Sequence, residues 1–470
     1  MLFSSTIFVF VFLPTALLVY FCLGRRTDLK NYFLLLASLF FYAWGEPVYV
    51  FLMIASIAAN YCCGRFIDAS HSADRRRLWL IITVIFNLGV LFWFKYLGFA
   101  TENINALFGT DIPVPQLPLP IGISFFTFQA MSYVIDVYRG STEVQKNPFY
   151  LGLYISFFPQ LIAGPIVRYN TIAQQIEERK VTADGFQSGV FRFIQGFAKK
   201  VLLANIMALT AEKGFALAAE QNLSVAMAWL GSLAYTFQIF FDFSGYSDMA
   251  IGLGRMFGFE FEENFRFPYI SKSVSEFWNR WHISLGHWFR DYIYFPLGGS
   301  RVSKPKMLRN LFVVWLLTGI WHGAAWQFIV WGVLYGVIIS LEKLSGYPKK
   351  FKNPLAIRSY AVVTFLVVNA GWVLFGSKGI GPAIFQLRTM FGMAGGALCD
   401  VNALYAISEY WPFYLLSTLF STPLPGKLLD RIKKGGLYNF IEAIVYMLIF
   451  LIAVSYLVMG SHNPFIYFNF

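Results

Sequence analysis

The chain has 470 residues, of which 57% are hydrophobic and only 13% are charged, and its formal net charge is +12. A soluble domain carries about twice that charged fraction, about 25%. The composition therefore excludes an ordinary soluble protein and predicts an all-α polytopic membrane protein. We expect no nucleic-acid partner, because the basic residues lie mainly in short loops between apolar runs, which is typical of a cytoplasmic membrane face.

Eleven apolar runs are candidate membrane spans, since a helix needs about 20 residues to cross the hydrocarbon. We interpret the first run as a retained span rather than a signal peptide, because no basic region precedes it and no clear cleavage site follows it. Segment 150–165 contains Pro159, Gly164 and Pro165, which predicts a re-entrant or broken element buried by its neighbours. The runs are 3–24, 31–45, 47–64, 78–99, 117–138, 186–211, 225–256, 311–341, 359–376, 403–419 and 439–459.

Run 311–341 has an unusual length. As a helix it would be ~46 Å long, which is too long for one crossing of ~30 Å and short for two. Its flanking segments are both basic. We predict a pair of short helices that enters and returns on the same side, with His322 ~18 Å from the entry point.

Charge asymmetry predicts the topology. With loop 25–30 in the cytoplasm and alternating spans, most of the 37 Lys and Arg residues fall on the cytoplasmic side. The expected organisation is one transmembrane domain, 1–470, in the bacterial inner membrane. Segment 255–309 is then cytoplasmic and its aromatic and basic residues predict helices that lie in the interface. The tail 460–470 is then extracytoplasmic.

Ionisable side chains inside the apolar runs are candidates for function. Apart from Tyr335, His322 is the only ionisable residue between Arg309 and Glu342, and such groups are costly at membrane depth. An imidazole suits proton transfer near neutral pH. The alternative is a histidine bonded to a backbone carbonyl in a broken helix.

Run 225–256 also carries polar groups, and buried carboxylates need partners. These side chains either line a passage or hold helices together. They are Gln238, Asp242, Ser244, Tyr246, Ser247 and Asp248.

Five motifs in the central part of the chain carry a resemblance to one family. They are FFPQLIAGP (157–165), FDFSGYSDMAIG (241–252), EFWNRWHISL (276–285), WFRDYIYFPLGGSR (288–301) and GIWHGAAW (319–326). In this order they resemble the membrane-bound O-acyltransferases (MBOAT), in particular the AlgI-type bacterial polysaccharide O-acetyltransferases. The resemblance implies a ring of about 11–12 tilted transmembrane helices around a central tunnel, with re-entrant and interfacial helices.

The resemblance also implies an activity. An acyl group leaves a cytoplasmic thioester, for which we expect acetyl-CoA, and reaches an extracytoplasmic hydroxyl. An extracytoplasmic SGNH-type transferase is the implied partner, besides membrane lipids. We expect no metal and no tightly bound cofactor, because a thioester is already activated and the four cysteines lack metal-ligand spacing.

Site residues follow from the matching motifs. His322 matches the family's active-site histidine and would act as general base, and His282 matches the second histidine and would position the donor. Lys272, Arg280, Arg290 and Arg301 are candidates for binding the donor's phosphates. Anionic lipid headgroups are the alternative partners of these four cations. Asp291 we interpret as an anchor for Arg290.

The C-terminus ends NPFIYFNF (463–470). Its aromatic residues suit a membrane-interface belt. Related acylation systems carry a terminal Phe-x-Tyr-x-x-Phe motif, which Phe465, Tyr467 and Phe470 match. The resemblance implies that Tyr467 is a catalytic relay, which takes the acyl group and passes it to the partner.

The predicted function is transmembrane O-acetyl transfer for O-acetylation of a cell-envelope polymer or exopolysaccharide. Three alternatives stay open: a D-alanyl or other acyl transferase with a carrier-protein donor, a transporter without acyl chemistry, and a structural scaffold. Alginate, cellulose, peptidoglycan and other glycans are equally compatible with the sequence.

Overall fold

The protein is built from α-helices, as predicted. A computed structural model describes residues 1–432, 436–460, 463, 464 and 466, and within this part of the chain there is no strand. The helices pack into two compact units, Met1–Phe193 with Ser247–Glu262 and Ile194–Tyr246 with Glu263–Phe470. Two of the three unit boundaries, at 193/194 and 246/247, fall inside continuous helices, and the third, at 262/263, falls in a loop. A single domain therefore stays a prediction.

The first ten helices run in order along the N-terminal part of the chain. π-helical turns precede α1, at Phe8–Phe12, and join α4 to α5, at Phe92–Tyr96. The helices are α1 (Leu13–Cys22), α2 (Thr27–Ala43), α3 (Tyr49–Ala69), α4 (Ala73–Leu91), α5 (Leu97–Phe108), α6 (Ile123–Arg139), α7 (Pro148–Ser156), α8 (Phe158–Leu161), α9 (Tyr169–Glu177) and α10 (Ala183–Ala198).

The remaining helices range from long apolar helices to helices of only seven residues. A π-helical turn, Lys199–Ala204, joins α10 to α11, and another, Arg290–Tyr294, follows α14. The helices are α11 (Asn205–Ala219), α12 (Val225–Met256), α13 (Val274–Arg280), α14 (Ile283–Phe289), α15 (Lys304–His322), α16 (Trp326–Ser345), α17 (Pro354–Gly376), α18 (Ile380–Met390), α19 (Val401–Phe420), α20 (Leu424–Ile432) and α21 (Gly436–Val458).

Each apolar run predicted as a span contains a helix. Among the described residues, six segments are both long and apolar enough to cross a membrane, which supports a multi-pass membrane protein. They are Tyr49–Ala69, Ala73–Phe108, Ala183–Ala219, Trp326–Ser345, Pro354–Gly376 and Tyr438–Val458.

The predicted start of the fifth span is wrong by six residues. Run 117–138 becomes helical only at Ile123, because Pro118 and Pro120 cannot supply helix N–H donors. Gly122 then adopts a left-handed φ of 74°, and a Cβ there would lie 2.7 Å from the carbonyl oxygen of Leu161. Only glycine fits this entry to α6.

The predicted broken element is confirmed. Segment 150–165 contains α7 and α8, which are separated at Phe157, where ψ is 112°. Pro159 opens the four-residue α8. The side chains from Leu151 to Ala163 are buried, so neighbouring helices shield the broken backbone.

A helix pair is also confirmed at 311–341, but its helices are not short. They are α15 and α16, which at 1.5 Å per residue are about 28 and 30 Å long. The helices pack antiparallel with their backbones in close approach, since a Cβ on Gly319 would lie 2.4 Å from the Phe328 oxygen and 3.2 Å from Gly332 Cα. His322 is the last residue of α15, so it lies at the tip of this hairpin.

Segment 255–309 joins α12 to α15, and the interfacial position of its helices stays a prediction. It forms only short helices, α13, α14 and a 3₁₀ turn, Pro268–Ile270, before the π-helical turn. Its rings Trp281, Trp288 and Phe289 are buried. Trp281 packs 4.8 Å from Trp372 of α17, because an aromatic cluster of the second unit takes up these side chains. The membrane side of the segment stays a prediction.

Candidate active site

One cavity of about 940 Å³ in the second unit is lined by both predicted histidines, His282 and His322. Its walls come from α13 to α16 and from the turn that follows α16. A volume of this size suits a small molecule with several polar groups. Within the described residues, no group of three His, Cys, Asp or Glu side chains is arranged to hold a metal.

Aromatic rings set the orientation of His322. Its side chain is 4% exposed, and three rings meet the imidazole nearly edge to face, with centroids 5.0 to 5.2 Å away. These rings are Trp321, Trp331 and Phe375. Tight packing at the end of a helix hairpin holds the ring in one position relative to the cavity.

A side-chain amide sets the orientation of His282. The ring Nδ1 lies 3.2 Å from Asn264 Oδ1, and the same oxygen accepts the Ser284 N–H at 3.2 Å and the Ser284 hydroxyl at 3.0 Å. A backbone N–H is only a donor, so the atom facing it is the amide oxygen, which accepts. Nδ1 of a neutral His282 therefore carries the proton, and Nε2 carries the lone pair.

Backbone strain accompanies this arrangement. His282 has a left-handed φ of 45° and lies between α13 and α14, where it is 2% exposed. Strained positions persist only where the surroundings hold them. Burial lowers the pKa of His282 to about 3, so the ring is neutral at pH 7.

The two histidines share one wall of aromatic side chains. The Trp321 ring centroid lies 6.1 Å from that of His282 and 5.0 Å from that of His322. Phe243 of α12 packs on the other side of His282, with centroids 4.6 Å apart. The cavity therefore presents two imidazoles in an apolar setting.

The four predicted cations separate into two pairs. Lys272 and Arg290 line the cavity and are exposed, whereas Arg280 and Arg301 do not line it. Arg280 instead donates to Glu276 Oε1 at 2.6 Å. The interpretation of Asp291 is confirmed, because Arg290 donates to both of its carboxylate oxygens, at 2.8 and 3.2 Å.

Three cavity residues were missed by the sequence reasoning. Lys343 and Lys349 add two further cations, and Glu342 adds a buried carboxylate. Glu342 accepts the N–H groups of Val274 and Ser275, each at 2.8 Å. It thereby caps the start of α13, where the helix dipole favours an anion, and it ties that helix to α16.

A third histidine, His287, is half-buried and also lines the cavity.

Comparisons with known proteins address the identity of the chain. Residues 145–347 match the model of MBOAT, the membrane-bound O-acyltransferase family. The chain is 44% identical to the probable alginate O-acetylase AlgI of Pseudomonas aeruginosa over 409 residues, 86% of this chain and 77% of that protein. It is 38% identical to the protein of the same name in Pseudomonas putida, over the full length of both chains. This chain belongs to the membrane-bound O-acyltransferase family.

A third relative carries a different name. The chain is 34% identical to the peptidoglycan O-acetyltransferase of Helicobacter pylori. The alignment, which includes gaps, is 519 residues long and covers 100% of this chain and 98% of that protein. The protein is thus a multi-pass O-acyltransferase of the AlgI type. Membership of an enzyme family favours catalysis over the transporter and scaffold alternatives.

The O-acyltransferase match contains the cavity residues His282 and His322, and also Lys272 and Arg290. Tyr467, Phe465 and Phe470 lie outside the residues that the structure describes. The roles of Tyr467 and of the individual cations therefore stay predictions.

Proposed function

We propose that this O-acyltransferase moves an acetyl group from a cytoplasmic thioester, acetyl-CoA, to an extracytoplasmic hydroxyl for O-acetylation of a polysaccharide. The observation that carries the proposal is the cavity that presents His282 and His322 together. Relatives named as alginate and peptidoglycan O-acetyltransferases support the acetyl group and the glycan acceptor. The bacterial inner membrane is the proposed location.

The charge at the cavity supports a phosphate-bearing donor. Lys272, Arg290, Lys343 and Lys349 all line it. Exposed ammonium and guanidinium groups bind phosphate oxygens through charge-assisted hydrogen bonds. Coenzyme A brings several phosphates at one end and a flexible pantetheine arm at the other. The arm suits the aromatic part of the cavity, where the two histidines lie.

His322 acts as the general base in the proposed step. It takes the proton of the attacking hydroxyl as that oxygen bonds to the thioester carbonyl carbon. The C–S bond then breaks, and the leaving sulfur takes the proton back from His322. An O-acetyl ester and a free thiol result. His282 orients the donor, with Nε2 as the hydrogen-bond acceptor for a donor N–H of the pantetheine amides.

Tyr467 is the proposed first acceptor. A phenol is more acidic than an alkanol, so a single imidazole suffices to activate it, and an aryl ester stays reactive enough to pass its acyl group on. An SGNH-type partner on the outer side would then take the acetyl group onto its serine and place it on the polymer.

The decisive experiment is an assay in proteoliposomes with radiolabelled acetyl-CoA on the cytoplasmic side. We expect labelled protein or acceptor with the wild type, and none with His322→Ala. Tyr467→Phe is expected to fold normally and to lose acceptor labelling. Labelling from a D-alanyl carrier protein but not from acetyl-CoA would overturn the donor assignment, and full activity of Tyr467→Phe would overturn the relay.

A further inference from the structure

A buried ion pair in the second unit is formed by two residues that do not line the cavity. Lys200 Nζ is 2.7 Å from Asp242 Oδ1, and the two side chains are only 3% and 1% exposed. Lys200 belongs to the π-helical turn between α10 and α11, and Asp242 to the middle of α12. Such a pair is costly to bury unless further hydrogen bonds satisfy both charges.

The C-terminal tail supplies those hydrogen bonds. The backbone N–H of Ile466 donates to Asp242 Oδ2 at 2.9 Å, and Lys200 Nζ donates to the carbonyl oxygen of Pro464. One turn further along, Asn205 Nδ2 donates to Asn463 Oδ1 at 3.3 Å. The Ile466 side chain is itself buried. The anion thus receives a tail donor and the cation a tail acceptor.

The local backbone makes room for this site. A Cβ on Gly245 would lie 2.7 Å from the Gly196 carbonyl oxygen and 3.2 Å from the Lys200 nitrogen. Glycine therefore allows the helix of Asp242 to approach the helix of Lys200 closely. The π-helical turn adds a residue to the helix at this point, a distortion that is frequent at functional sites.

The ion pair is bound to the tail through both of its members. Both charged groups bind main-chain atoms of the tail. The last of these tail residues, Ile466, directly precedes Tyr467. We propose that Lys200 and Asp242 are positioning residues that anchor the tail at Pro464 and Ile466 and so determine where Tyr467 is presented. This inference rests on the proposed relay role of Tyr467.

A charge reversal separates anchoring from helix packing. The double variant Lys200→Asp with Asp242→Lys keeps an ion pair between the helices. It cannot bind the tail in the same way, because an aspartate at 200 has no donor for Pro464 and a lysine at 242 has no acceptor for Ile466. A purely structural pair would tolerate this exchange.

A second variant leaves the helices untouched. Ile466→Pro removes the N–H that Asp242 accepts, whereas Ile466→Val keeps it and is the matched control. The first readout is the rate at which carboxypeptidase removes the last three residues, 468–470, from the purified protein, since these are released before the substituted proline slows the enzyme. The second is acetyl transfer in proteoliposomes.

We expect the wild type and Ile466→Val to resist digestion. Ile466→Pro and the charge reversal are expected to be digested at least ~10-fold faster, since each loses a charge-assisted hydrogen bond, and to lose acetyl transfer. Unchanged digestion in Ile466→Pro would overturn the anchor whatever the activity. Faster digestion with full acetyl transfer would overturn the positioning role, and Tyr467→Phe then shows whether the relay itself fails.

Discussion

Asn264 holds His282 by one oxygen atom, which lies 3.2 Å from the ring Nδ1 and also accepts both donors of Ser284. The two residues are separated by 18 positions and meet only in the folded chain. The oxygen accepts from Nδ1 and so favours the ring orientation in which Nε2 is the acceptor.

Removing that oxygen tests the importance of the orientation. In Asn264→Ala the ring loses its acceptor, and we expect the rate of acetyl transfer to fall by about 10²-fold, as small misplacements of an active-site group do. Asn264→Asp restores an acceptor and is expected to recover part of the rate. Ser284→Ala removes the hydroxyl that lies 3.5 Å from Nδ1 but leaves the Asn264–His282 bond in place, and it is expected to have a smaller effect than Asn264→Ala. A near-wild-type rate for Asn264→Ala would refute the role.

Acid should destabilise the protein through His282. Its pKa in the fold is about 3, lowered by burial, against about 6.5 in the unfolded chain. Between these two pKa values the unfolded state binds more protons than the folded state. The stability that the neutral His282 side chain contributes is therefore complete above pH 6.5 and declines as the pH falls. From pH 7 to pH 5 we expect a loss of roughly 2 kcal/mol in the free energy of unfolding from this residue.

The measurement is detergent-solubilised unfolding of the wild type and His282→Gln at pH 5, 6 and 7. The variant is expected to show the smaller dependence on pH. Equal dependence in the two proteins would contradict the neutral, buried state of His282.

The cavity cations should act on donor binding. Arg290→Ala and Lys272→Ala are expected to raise the KM for acetyl-CoA about tenfold each, because each removes a charge-assisted contact, with little change in kcat. Arg301→Ala, which removes a cation that does not line the cavity, is the matched control and should leave KM unchanged. An equal rise in KM for all three would indicate a general surface-charge effect.

Close packing of the hairpin should be needed for both stability and catalysis. Gly319→Ala places a methyl group 2.4 Å from the Phe328 oxygen, so we expect a loss of about 1–3 kcal/mol in stability and a displaced His322. Gly89→Ala in α4, where a Cβ meets nothing within 4 Å, should be neutral or slightly stabilising. Thermal unfolding and acetyl transfer of both variants are the measurements. Comparable losses in the two would argue against specific packing.

The sequence predicted a helix within every apolar run, because a run of that length in a membrane must satisfy its backbone hydrogen bonds within a helix. It also predicted His322, since the surrounding GIWHGAAW motif is long and the histidine is isolated in an apolar run. The length of α15 was wrong because Lys304, Lys306 and Arg309 made its first two turns look like a loop.

Contacts between distant positions could not be predicted from one sequence. Asn264 and Glu342 meet their partners across 18 and 68 positions, and neither has a local pattern that marks it. Asp242 was identified as a buried carboxylate that needs a partner. That its partners are Lys200 and the tail required the folded chain.

The hairpin of α15 and α16 has a consequence for how such enzymes diversify. Both of its free ends point the same way and His322 lies at the far tip, so in the proposed mechanism proton removal takes place at the end of one rigid pair of helices. The identity of the sugar that finally carries the ester imposes no demand on that pair. Under the proposed hand-over to an outer partner, a lineage with this design can exchange one glycan for another by changing that partner alone.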